Sequence, residues 1–184
     1  NGRTAFSYQF HERNKGGIMM LRRLELRDAP FMLEWMHDET ITCSFRYPFA
    51  EMTLEKVKFF IQYSFDEENQ HFAITDDKDE YMGTISLKHI SEMDHNAEYA
   101  IVTRKKAHGT GLAERATMEI LKYAFQDLGL HRVYLTVLTD NIPARKLYEN
   151  CGFDLEGEMK DVIRIDGRYR SQACYAILNW KEME

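Results

Sequence analysis

Apolar residues along the chain fall into blocks, and the change of spacing from block to block marks the elements. Leu21 to Leu26 suits a short strand, and Asp28 can cap a helix that carries Pro30 in its first turn and Phe31, Met32, Trp35 and Met36 on one face. Thr53 caps a second helix, in which Leu54, Val57, Phe60 and Ile61 recur at helical spacing. His71 to Thr75, Tyr81 to Ile90 and Ala97 to Thr103 read as strands. The short polar turns between them, Asp76 to Glu80 and Asp94 to Asn96, predict an antiparallel meander. Leu112, Ala116, Ile120, Ala124 and Leu128 then repeat every four residues through a long helix that Gly129 can close. Arg132 to Leu138 is nearly continuous apolar sequence, as expected of a central strand buried on both faces. Asn141 caps a short helix with Pro143 near its start, Ala144, Leu147 and Tyr148 on its inner side and Gly152 as a left-handed terminator. The last segment is a hairpin turning at Asp166-Gly167.

Composition narrows the class. The chain has 184 residues, 44% of them hydrophobic, which suits one domain with a sizeable core. Residues 1–18 are polar, aperiodic and end in Gly16-Gly17, so they read as a leader or tag extension ahead of a single domain over 19–184. A net charge of −6 has the wrong sign for holding nucleic acid by its phosphates and suits a cationic or amine-bearing partner better. No run approaches the roughly 18 apolar residues of a membrane span, and no signal-peptide profile opens the chain. The expectation is a cytoplasmic protein without membrane or nucleic-acid partners. Three widely spaced cysteines suggest neither a disulfide framework nor a zinc knuckle, and the seven histidines show no ligand spacing, so no metal is expected.

Between the third meander strand and the long helix lies Lys106-Ala107-His108-Gly109-Thr110-Gly111-Leu112-Ala113. Two glycines at a strand-to-helix junction let a ligand approach the backbone, and the free amides at the start of a helix suit a pyrophosphate. The P-loop signature fails here for want of Gly-Lys-Ser/Thr, and the Rossmann fingerprint for want of a third glycine and a ribose-binding acid. On this stretch alone, a tight loop whose glycines only cap a helix fits equally well.

The order strand, Gly-rich loop, long helix, buried strand is followed by Asn141-Ile142-Pro143-Ala144-Arg145-Lys146-Leu147-Tyr148-Glu149-Asn150-Cys151-Gly152-Phe153. Together these segments resemble the Gcn5-related N-acetyltransferase superfamily, with its pyrophosphate motif R/Q-x-x-G-x-G/A and its later signature N-x-x-A-x-x-L-Y-x-x-x-G-F. The later signature matches at every fixed position; the first carries Lys106 where Arg or Gln is usual. The resemblance covers residues 20 to 180. It implies an α/β (α+β) fold: a mixed, mostly antiparallel sheet of about seven strands, flanked by about four helices and splayed between its two central strands.

The resemblance also implies chemistry, namely direct transfer of the acetyl group of acetyl-CoA to a primary amine of a small molecule. Tyr148 matches the usual acid for the departing thiolate, with core packing as its alternative. Glu98 sits where many members place an acidic residue, either as the base for the amine or as a solvent-facing strand carboxylate. Ile101, Val102 and Thr103 would pair with the pantetheine arm, residues Lys106 to Ala113 would cradle the pyrophosphate, and Asn141 and Ala144 would face the cofactor. The acceptor side would draw on Trp35, His37, Tyr47 and Arg168, and a packing role for Trp35 competes with that. The layout is similar to the branch acting on nucleotide-linked amino sugars, to spermidine acetyltransferases and to ribosomal-protein N-terminal acetyltransferases. An amino-sugar nucleotide or a polyamine is the expected acceptor; a protein N-terminus, or acyl-CoA binding without catalysis, is the alternative. The exposed aromatic hairpin is compatible with a homodimer.

Overall fold

A computed structural model describes residues 20–179; the extension read over 1–18 lies outside the described residues. The elements run β1 (Leu21–Arg23), α1 (Ala29–Met36), α2 (Glu39–Thr42), α3 (Leu54–Gln62), β2 (Gln70–Thr75), β3 (Tyr81–Ser91), β4 (Asn96–Thr103), α4 (Leu112–Gln126), β5 (Arg132–Leu138), α5 (Ile142–Asn150), β6 (Asp154–Ile165) and β7 (Arg168–Leu178). Seven strands form one mixed sheet in the order β1-β2-β3-β4-β5-β7-β6, and β4 with β5 is its parallel pair. The expected meander is β2-β3-β4, and Asp166 and Gly167, both at positive φ, make the β6–β7 turn.

Alternation along the strands sorts side chains to two cores. Ala97, Tyr99, Val133, Leu135 and Val137 meet Leu112, Ala116, Ile120 and Ala124 of α4 and Tyr148 of α5. On the other face, Ala73, Tyr81 and Val102 pack with Met32, Trp35 and Met36 of α1 and Val57 and Ile61 of α3. Residue 83 has to be glycine, because a Cβ there would lie 2.4 Å from the Val102 carbonyl oxygen of the neighbouring strand.

Two expectations need correction. β5 is central, but only one of its faces is buried along its length: Val133, Leu135 and Val137 are buried, whereas on the other face Tyr134 is half-buried, Thr136 exposed and Leu138 buried. Asp28 precedes α1 but makes no side-chain cap hydrogen bond. Its carboxylate instead accepts from the Glu25 amide at 2.8 Å and from both Arg22 terminal nitrogens at 2.7 and 2.8 Å, which ties β1 to the start of α1.

Candidate active site

The site begins where two strands part. β4 and β5 pair only at Asn96↔Arg132, Ala97↔Val133 and Glu98↔Tyr134, after which β4 continues with β3 to Thr103 and β5 with β7 to Leu138. Beyond Glu98 a wedge opens along Ala100 to Thr103, whose inward backbone groups lack the parallel partner. From Glu98 to Thr103 the wedge runs about 16 Å at the usual strand rise. An extended chain can lie in it as an added strand.

At the mouth of the wedge the chain turns through Lys105–Ala107 and an exposed stretch, His108 to Gly111, into α4. Gly109 and Gly111 both take the left-handed conformation, at φ +72° and +73°. A Cβ on Gly109 would meet nothing within 4 Å, so open space faces the backbone there. Thr110 Oγ1 accepts from the Leu112 amide at 3.3 Å, and the amides of Ala113 and Glu114 lie beyond the reach of any carbonyl of the helix itself. Leu112 and Ala107 are buried and fix the loop from below. Such a loop suits a diphosphate on its backbone amides.

Side chains around the loop are already engaged. Lys106 donates to Glu80 at 2.9 Å, Lys105 pairs with Asp38 at 2.8 Å, and buried Arg104 holds Glu34 through Nε and Nη2 and Glu80 through Nη1. The motif position at Lys106 is therefore turned away to Glu80. Arg115, one turn into α4, reaches back to the Thr110 carbonyl at 3.3 Å, and its guanidinium would touch a Cβ on Gly111. The sequence reading passed over Arg115, although its place one turn after Gly111 was a readable signal.

Tyr148 comes from α5. Asn141 Oδ1 accepts from the Ala144 amide at 3.3 Å, so Asn141 is the helix cap. The far end closes as a Schellman turn, Phe153 N–H on the Tyr148 carbonyl and Gly152 N–H on that of Glu149, with Gly152 at φ +89°. The Tyr148 ring packs against Tyr99, Phe153 and Tyr175. Burial, and secondarily the Cys151 thiol, push its hydroxyl up to about 12, so it keeps its proton at neutral pH.

Glu98 lies on the other face of β4 from Tyr99, against which the Tyr148 ring packs. Lys88, directly opposite on β3, donates to Glu98 Oε1 at 2.9 Å. His89 sits 3.6 Å from Oε2, at φ +51°, within the irregularity of β3 between Lys88 and Ser91. Tyr134, Glu98's partner on β5, has its phenol raised by burial and by the Glu98 carboxylate. Lys88 and Tyr134 flank Glu98 on its two neighbouring strands, and the sequence does not reveal either, because they meet Glu98 only through strand register.

The acceptor candidates divide. Trp35 is buried, its indole N–H is spent on the Tyr81 hydroxyl at 3.0 Å and its ring meets Phe49, so it is core and not lining. His37 and Tyr47 are both exposed and meet through Met52: the His37 ring contacts its carbonyl at 2.9 Å and the Tyr47 hydroxyl its sulfur at 3.6 Å. Arg168 is exposed at the β6–β7 turn, apart from that pair.

A mixed sheet with a wedge between its two central strands and a glycine loop opening a helix at the wedge's mouth is the form of an acyl-CoA-dependent N-acyltransferase. The model of the acetyltransferase (GNAT) domain family matches residues 19–154, and the chain belongs to that family as an N-acetyltransferase. It is 29% identical over 164 residues to the spermidine N(1)-acetyltransferase of Vibrio cholerae, covering 89% of this chain and 94% of that protein. Its identity to the Escherichia coli K12 spermidine N(1)-acetyltransferase is 29% over 154 residues, 82% and 81% of the two chains. The crystal structure of spermidine N-acetyltransferase from Vibrio cholerae in complex with CoA and spermine superposes with a TM-score of 0.79 at 28% identity, covering 89% of this chain and 97% of that one. Among the described residues no helix is long and apolar enough to cross a membrane.

Proposed function

We propose that the protein transfers the acetyl group of acetyl-CoA to a primary amine of a polyamine. The observation that carries the reading is the wedge itself, floored by Glu98 and Tyr134 and closed at its mouth by the Gly109–Gly111 loop. The diphosphate would rest on the loop amides, with Arg115 one turn into α4 beside them, and the pantetheine arm would pair with Ile101 to Thr103. The amine would enter from the face of β4 that carries Glu98. An alkyl amine with pKa near ~10 arrives protonated and must lose that proton before attack. Lys88 occupies Glu98 Oε1, which leaves Oε2 for the ammonium or for a water that relays its proton. When the tetrahedral intermediate collapses, the thiolate leaves toward the α5 side, where Tyr148 supplies a proton. The spermidine acetyltransferases among the relatives and the acidic net charge support a polycationic acceptor.

A thiol-release assay over spermidine, spermine, an amino-sugar nucleotide and a peptide with a free N-terminus tests the reading. Release with the polyamines is expected. Turnover confined to the peptide or the sugar would reject the polyamine and keep the transferase.

A further inference from the structure

α5 carries Tyr148, yet Tyr148 is its only fully buried residue, so packing alone holds this nine-residue helix lightly. What grips it is polar. Tyr175, fully buried on β7, donates its hydroxyl proton to Glu149 Oε1 at 2.7 Å and accepts from Arg145 Nε at 2.9 Å. Arg145 also reaches the Thr139 carbonyl at 3.0 Å and lies 3.8 Å from Glu158 of β6. Arg145 and Glu149 are one helical turn apart and flank Tyr148 in sequence. One phenol on the sheet therefore holds two points of the helix surface and fixes its rotation about its own axis. The Tyr175 ring also borders the Tyr148 ring, with centroids 6.3 Å apart.

We infer that Tyr175, with Arg145 and Glu149, is a positioning group that aims the Tyr148 hydroxyl into the wedge. The inference rests on the reading of Tyr148 as the proton donor to the thiolate. Rotation of a short helix by a few degrees moves a tyrosine oxygen by a sizeable fraction of an ångström, enough to weaken a proton transfer without emptying the cofactor site. The Asn141-to-Phe153 signature leaves position 145 open and does not reach β7, so the clip is not contained in it.

Tyr175→Phe keeps the ring and removes both hydrogen bonds. It should lower kcat about tenfold, well inside the roughly 10²-fold that misplacement can cost, with CoA affinity by calorimetry unchanged. Amide exchange over residues 144–150 should quicken. The discriminating measurement is the double variant: in a Tyr148→Phe background, Tyr175→Phe should change kcat less than twofold, because no hydroxyl remains to aim. Arg145→Met, which leaves the buried phenol in place, should show the same pattern and guards against a folding defect in Tyr175→Phe. Equal falls in kcat in both backgrounds, or no fall from Tyr175→Phe alone, overturn the positioning role while Tyr148 stands as donor. A normal kcat in Tyr148→Phe alone overturns the donor reading and the inference with it.

Discussion

Glu98 has a cation on one oxygen and a histidine near the other, so its contribution is best read from how rate depends on pH. If it takes the proton of the amine, Glu98→Gln should depress kcat/KM most at neutral pH and partly recover as pH approaches the pKa of the acceptor. An equal fall at every pH would make it an orienting carboxylate. The glycine loop needs a gentler probe than a branched residue. At φ +73° a valine on Gly111 would strain the backbone whether or not CoA is present. Gly109→Asn suits the left-handed backbone and projects into open space, so it should keep the fold while CoA affinity by calorimetry falls at least about tenfold. The conformation of the glycine loop and the helix that carries Tyr148 were legible in the sequence because each is set by neighbours within a dozen residues: glycines at positive φ, an Asn cap, a Schellman close. Lys88, Tyr134 and the Tyr175 clip were not legible, since strand register and a contact across 30 residues bring them in.

The elements teach a similar lesson in their junctions. Periodicity located the strands and the longer helices but not the four-residue α2, and it gave Asp28 the wrong partner. A capping residue and a buried counter-ion look alike in sequence, and only the fold brings Arg22 to it. Because the Asp28 side chain is almost wholly buried and holds Arg22 twice, Asp28→Ala should cost roughly 3–5 kcal/mol, several times the ~1 kcal/mol of a lost cap. Denaturant unfolding would separate the two values. Between β3 and β4, Gly83→Ala should force the strands apart against the Val102 carbonyl and cost about 1–3 kcal/mol. A melting temperature within a degree of the parent would show that the strands had room to spare.

Over the whole molecule, one half-buried imidazole ties stability to pH. His71, on β2 beneath Phe60 and hydrogen-bonded to Ser86 Oγ at 2.8 Å, is held down to about 4, chiefly by burial and then by Lys88. The fold thus favours neutral imidazole. Its contribution is complete above the unfolded value near 6.5 and is lost as pH falls from there toward 4, a change of order 3 kcal/mol. His71→Gln should flatten that limb of a stability–pH curve; an unchanged slope would move the effect to other groups.

The three consecutive cations at the entrance of the cofactor loop have a further consequence, which concerns ionic strength. Arg104, Lys105 and Lys106 are each neutralised by an acid, Glu34 of α1, Asp38 just after it or Glu80 of the β2–β3 turn, so the loop presents dipoles and Arg115 to a polyanionic cofactor that must approach a protein of net charge −6. Added salt screens that long-range repulsion more than it weakens the short backbone contacts. It also screens the attraction for a polycationic amine. The two substrates should therefore respond to potassium chloride in opposite senses: between 20 and 200 mM, the association rate of CoA should hold or rise, and the KM for the amine should climb.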